Sequence, residues 1–251
     1  MEKYFDINEG GYSIRCKIYA KDIHDTDRVV IFCHGFGGHK DTKAAATFAE
    51  RMNSKYKSTA LVIFDWPAHG KDALKHLTLE ACDEYLTLVI DYVKREFKAS
   101  KIYAEGTSFG GYLLLKYLID HGNPFEKIVL RCPVIEMYST MMGRIIDEEN
   151  LIKLNKGKEI LVGFDRKVKI DKDFLEALHN NDMSQYEFFD YADDILIVHG
   201  TKDEVVSYDV SSTFAENNVI DFVSVAGADH RFTDPKKMDA AIHAMIEFMD
   251  F

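Results

Sequence analysis

The sequence predicts an α/β protein on a doubly wound, mostly parallel eight-stranded sheet with a small cap insertion. Three observations carry this. Short runs of consecutive apolar residues recur, as at Val29-Val30-Ile31-Phe32-Cys33 and Ala60-Leu61-Val62-Ile63-Phe64. Unbroken runs of this kind suit central strands covered on both faces. Amphipathic segments of helical period lie between them, which makes the connections βαβ crossovers. The rhythm fails only between Pro133 and about Tyr191.

At the amino end, residues 12–20 alternate apolar and polar positions (Tyr12, Ile14, Cys16, Ile18), the pattern of a half-exposed antiparallel strand. Residues 3–8 are placed to pair with it through a turn at Gly10-Gly11. The strands at 29–33 and 60–64 follow, then 101–104, 128–130, 195–198 and 220–225. A helix over 41–55 presents Ala45, Phe48, Ala49 and Met52 on one face, and one over 78–97 presents Ala81, Tyr85, Leu88, Val89, Tyr92 and Val93. A third, 109–120, stops at His121-Gly122-Asn123-Pro124, and the last, 235–249, opens with Pro235 after Asp234. In the irregular region lie a Met-rich piece (Met137, Met141, Met142), two β-like runs at 158–164 and 166–170 that suit a hairpin, and a short helix near 171–179. Residues 1–133 and 191–251 are therefore read as the core and 134–190 as a cap or lid.

The 251 residues, 47% hydrophobic and 29% charged, are enough to bury a sizeable core. The net charge of −11 disfavours nucleic acid and anionic lipid as partners. Cys16, Cys33, Cys82 and Cys132 form no CxxC pair and no zinc-like cluster, so buried reduced thiols are expected. The first residues hold no apolar signal core, and no apolar run reaches the ~18 residues of a membrane helix. The expectation is a soluble, cytoplasmic protein; a homodimer is left open.

The sharpest motif is Gly106-Thr107-Ser108-Phe109-Gly110-Gly111, directly after one strand and directly before a helix. A serine at such a turn takes a strained backbone that lifts its hydroxyl above the sheet, and the glycines spare neighbouring elements a clash. Such a serine needs a base, and the base needs an orienting acid. His230, in Gly227-Ala228-Asp229-His230, follows the last strand, and Asp203, in His199-Gly200-Thr201-Lys202-Asp203, follows the one before. Both lie at carboxyl ends of strands, where doubly wound sheets carry their sites. Glu204 and Asp209 compete for the acid, and His34, His69 and His199 for the base. Asp229 adjoins His230 in sequence and is a poor acid candidate. The loop His34-Gly35-Phe36-Gly37-Gly38 is the candidate oxyanion loop, nominating the backbone N–H groups of Phe36 and Phe109.

With HGFGG at 34–38, FDWPAHG at 64–70, GTSFGG at 106–111, HGTKDEVV at 199–206 and GADHRF at 227–232, the chain resembles the α/β-hydrolase superfamily over nearly its whole length. Within it the chain is most similar to small esterases and the acylglycerol-lipase-like or serine-aminopeptidase-like group. The nearest look is to bacterial cinnamoyl (feruloyl) esterases, which carry a similar HGF loop and a short cap with a β-hairpin. The resemblance implies Ser108 as nucleophile, Asp203 as acid, His230 as base, and Phe36 and Phe109 at the oxyanion hole. In the family's D-x-x-G-H-G-x-S pattern, Ala68 stands here for a glycine and Asp72 for the serine.

The favoured function is hydrolysis of a small-molecule carboxylic ester, of cinnamoyl type or with a short-to-medium acyl chain, through an acyl-enzyme on Ser108. No metal or organic cofactor is required. A peptidase or amidase with the same triad is the alternative, with Glu136, Asp147, Glu148 and Glu149 as candidates for holding a free α-amine. A non-catalytic binding module on the same fold is the third reading.

Overall fold

A computed structural model describes residues 1–71, 75–97, 101–163 and 166–251. Its main sheet has eight strands: β1 (Glu2–Glu9), β2 (Tyr12–Ala20), β3 (Arg28–Cys33), β4 (Thr59–Phe64), β5 (Lys101–Thr107), β6 (Ile128–Arg131), β9 (Ile195–Gly200) and β10 (Asp221–Val225). Their order is β1-β2-β4-β3-β5-β6-β9-β10. The β1–β2 and β2–β4 pairs are antiparallel and the remaining pairs parallel.

The expected helices are present as α1 (Lys43–Lys55), α2 (Leu79–Glu96), α3 (Phe109–His121) and α8 (Pro235–Met249). Two layers of core enclose the sheet. On one face, α1 and α8 bring Phe48, Met52, Ile242 and Met245 against Phe32, Tyr103 and Val129. On the other, α2 and α3 pack Tyr85, Val89, Leu114 and Leu118 against Ile31, Ala104 and Leu130. The period of two along each strand divides these residues between the faces, so an apolar run supplies both layers at once.

Between β6 and β9 the chain leaves the sheet. It forms α4 (Met137–Thr140), a π turn (Met141–Ile145), α5 (Glu148–Asn155), the antiparallel hairpin β7 (Ile160–Val162) and β8 (Val168–Ile170), and α6 (Lys172–Asn180). The hairpin strands are shorter than the two β-like runs, and the end of the first run, at residue 164, falls outside the described residues, as does Asp72. In the cap, α4 and α5 have no individual counterpart in the sequence pattern, and outside the cap α7 (Tyr208–Asn218) has none; the buried residues of α7, Ser211, Phe214, Ala215 and Asn218, include two polar ones. A polar residue on the buried face blurs the hydrophobic period, and here Asn218 satisfies itself by binding the Phe214 carbonyl and the Phe188 amide.

The strand order sets the site. From β3 the chain crosses to β4, then passes back over β3 to β5. Loops leaving β3 and β5 therefore part in opposite directions and leave a crevice at the carboxyl edge. Cys33 pairs with Gly106 in register, which brings the loop beginning at His34 beside Ser108.

Candidate active site

Ser108 sits between β5 and α3 with φ 54° and ψ −113°, a conformation that a side chain rarely adopts. The surroundings hold it there. Its amide donates to the Arg131 carbonyl at 3.0 Å, and its own carbonyl accepts from Tyr112 at 3.1 Å and Val134 at 3.3 Å. Close packing adds a second constraint: a Cβ on Gly110 would lie 1.9 Å from the Cys33 carbonyl oxygen. Only glycine lets α3 start this near β3.

Asp203 and His230 approach from the ends of β9 and β10. Asp203 Oδ1 accepts from the amides of Val205 (2.9 Å) and Val206 (2.8 Å), and Oδ2 accepts from His230 Nδ1 at 2.7 Å. Burial works against its ionisation, but His199, His230 and the Val206 amide hold its carboxyl well below the usual carboxylate range. An ionised acceptor fixes the proton of a neutral His230 on Nδ1 and leaves Nε2 basic. His230, Ser108 and Phe36 line one cavity of about 600 Å³. Glu204 takes a different place, accepting from the His230 amide at 3.3 Å.

The loop at 34–38 turns tightly, with Gly38 N–H donating to Gly35 O at 2.9 Å. A Cβ on Gly35 would stand 3.3 Å from Ser108 Cβ, so the loop lies directly on the serine. The Phe36 ring packs edge-on to Phe109 and His69, with ring centres 5.7 and 5.6 Å away. The amides of Phe36 and Phe109 make no hydrogen bond among the described residues. Phe109 is the first residue of α3, whose opening N–H groups have no partner within the helix.

The competing histidines are built into the floor. His34 and His69 are buried; burial and the neighbouring His69 hold His34 well below the usual histidine range, and burial lowers His69 to about 4. Their Nδ1 atoms face the carbonyls of Gly35 and Pro67 at 2.9 and 2.8 Å. Both rings are therefore neutral braces. Ala68, at the family's glycine position, has φ 61°, the left-handed conformation that favours glycine.

Two arrangements were not read from the sequence: the place of His199, weighed there only as a competing base, and a buried polar chain that includes Glu105. His199 is fully buried, with Nε2 3.2 Å from Asp203 Oδ2, though neither ring nitrogen is well aligned for a hydrogen bond. Beside the serine lies a buried chain, in which Arg131 Nη2 donates to Thr107 Oγ1 (3.1 Å) and Thr107 Oγ1 donates to Glu105 Oε1 (2.7 Å). A charged residue inside a central apolar strand was the available signal for Glu105.

Burial raises the Glu105 carboxyl from 4.5 to about 7, against the lowering pull of Arg131 and Thr107. The unfolded chain releases this proton near 4.5, whereas the folded chain keeps it to about 7. Folding stability therefore falls as pH rises through that window and levels off above it, a loss on the order of 3 kcal/mol. Glu105→Gln is expected to remove this slope. Urea unfolding at pH 5 and pH 8 checks it: the difference between the two pH values shrinks in the variant.

Comparisons with known proteins agree with this architecture. The serine aminopeptidase S33 family matches residues 24–148. No curated protein matches the chain. Among solved structures, Est1E from Butyrivibrio proteoclasticus with ferulic acid bound superposes with a TM-score of 0.79 at 21% identity, covering 98% of this chain and 100% of that one. A soluble variant of monoglyceride lipase from Saccharomyces cerevisiae, in complex with a substrate analogue, gives 0.75 at 14% identity, covering 100% and 94%. A putative hydrolase from Agrobacterium vitis gives 0.77 at 18% identity, covering 99% and 98%. Among the described residues, no helix is long and apolar enough to cross a membrane.

Proposed function

We propose that this chain, which has the α/β-hydrolase fold, is a serine hydrolase of that superfamily, cleaving carboxylic esters through an acyl-enzyme on Ser108. One observation carries the reading. The 2.7 Å bond from His230 to a buried, ionised Asp203 stands on the same cavity as a serine held at positive φ.

The proposed chemistry is acyl transfer through a serine, a histidine and an aspartate. His230 Nε2 takes the Ser108 proton as Oγ attacks the ester carbonyl, and Asp203 stabilises the imidazolium. The carbonyl oxygen gains charge between the N–H groups of Phe36 and Phe109, each such donor being worth about 10²–10³ in rate. The tetrahedral species collapses, the C–O bond to the alcohol breaks, and His230 returns its proton to the leaving oxygen. Water, deprotonated by the same nitrogen, then attacks the acyl-enzyme, and Ser108 leaves with the proton. Residues 134–190 act as the cap, and Val134, Met137 and Ile145 give the acyl group an apolar wall. Ferulic acid in the similar Est1E supports small aromatic acyl groups among the substrates.

The family match favours a second reading, an aminopeptidase with the same triad. Such an enzyme needs a carboxylate for a free α-amine. Glu136 borders a different cavity, Asp147, Glu148 and Glu149 are not among the described residues lining the Ser108 cavity, and the one carboxylate that does line it, Asp239, is already paired with Arg51. The ester reading is therefore preferred. The test pairs fluorophosphonate labelling with hydrolysis of p-nitrophenyl esters, methyl ferulate and aminoacyl-coumarins. Labelling at Ser108 with turnover of the esters is expected. Turnover of the coumarins alone would establish the peptidase, and no labelling would leave a binding module.

A further inference from the structure

The cavity beside Ser108 reaches both faces of the sheet edge. Under the cap its wall is apolar. On the other side it enters the gap between α1 and α8, and there its character changes. Strand alternation places Arg131 on the same face as Val129, which belongs to the α1–α8 core layer. The Arg131 side chain is only 6% exposed, lines the cavity, and lies with its guanidinium 5.4 Å from the Phe232 ring centre. Its Nη1 has no hydrogen-bond partner among the described residues. Lys43, Thr47 and Arg51, one helical turn apart on α1, line the same cavity.

The charge balance there is the reverse of the protein's. The whole chain has 31 Lys and Arg against 42 Asp and Glu. Among the described lining residues, Lys43, Arg51, Arg131, Arg166 and Arg231 stand with a single carboxylate, Asp239, already bound by Arg51 Nε at 2.7 Å. Arg131 is weakly offset, since its nearest carboxylate contact, Glu105 Oε1, is 4.0 Å from Nε. Arg166 and His39 line the same cavity, and burial, then the Arg166 charge, holds His39 below the usual histidine range. A cleft of one sign with low-dielectric walls focuses its field and concentrates ligands of the opposite charge. Without it, an acidic protein would repel such ligands.

We propose that the substrate is an ester whose far end carries an anionic group, a carboxylate or a phosphate, held between α1 and α8 by Arg131, Lys43 and Arg51. This rests on Ser108 being the reacting group of the same cavity. It adds what the reaction type leaves open: an apolar part under the cap and a charged part on the opposite side of the serine.

Binding is measured first, without turnover, on the Ser108→Ala protein. Inorganic phosphate and glutarate are titrated separately by calorimetry. Saturable binding of at least one is expected, weakened fivefold or more by Lys43→Gln/Arg51→Gln and suppressed by added salt. Binding of glutarate alone selects a carboxylate, and of phosphate alone a phosphate. Arg131→Gln is the sharper change, but it strips a partner from Glu105 and Thr107 and can unfold the chain; the exposed double variant keeps the test valid. No binding of either anion, or equal binding in the double variant, overturns the proposal. In the active protein, the double variant is expected to raise KM for p-nitrophenyl hemiglutarate at least fivefold and leave p-nitrophenyl hexanoate within twofold. An equal change for both esters also overturns it. If the wild type cleaves no ester while the anion still binds, the hydrolase reading fails and the anion site stands.

Discussion

Replacing Ser108 by alanine is expected to lower kcat/KM for a p-nitrophenyl ester by roughly 10⁵–10⁶-fold, the scale seen when a triad nucleophile is removed. The residual rate would come from binding and from the Phe36 and Phe109 amides, which the substitution leaves in place. Folding should survive. The bonds that hold the turn, to Arg131, Tyr112 and Val134, are made by the Ser108 backbone and do not depend on its hydroxyl. Steady-state kinetics and a thermal melt on one preparation separate the two effects. A variant that kept a tenth of the wild-type rate would remove Ser108 from the chemistry.

Asp203→Asn is the second large effect, a fall in kcat of about 10⁴-fold. The amide keeps the shape but replaces the charged acceptor of His230 Nδ1–H with a neutral group, so the imidazolium loses its counter-charge and the ring its preferred tautomer. Stability changes with a definite sign. The folded-state carboxyl is held well below the ordinary 3.8, so ionised Asp203 stabilises the fold above 3.8. That contribution is lost as pH falls through the folded value. The variant is therefore expected to melt below wild type at pH 7, with the gap closing under more acid conditions. Melting curves at pH 7 and below pH 3.8 check this; a constant gap would mean that the carboxylate charge is not what stabilises the loop.

Both effects concern residues legible in the chain before any coordinates. Ser108, Asp203 and His230 each follow an apolar run that ends abruptly, and a strand end is a strong local signal because side chains there pass from core to crevice within one residue. The strands were legible for the same reason: burial on two faces demands unbroken apolar sequence, as in β3 and β4, whose strands are almost entirely buried. Helix α7 was not legible, since Ser211 and Asn218 are buried polar residues whose partners, the carbonyls of Pro133 and Phe214 and the amide of Phe188, satisfy them only in the folded molecule.

By itself, the sequence determined the fold class, the carboxyl-edge location of the site and the five residues proposed for it. These depend on local periodicity and on glycine-bounded turns, which act over a few neighbouring residues. Only the tertiary structure decided that Asp203 meets His199 as well as His230, that His34 and His69 are buried braces, and that Arg131, Lys43 and Arg51 line one wall beside Ser108. The physical reason is distance along the chain. Those contacts join residues up to 188 positions apart, as Arg51 and Asp239 are. No local pattern records a pairing that exists only once the sheet has brought its strand ends together.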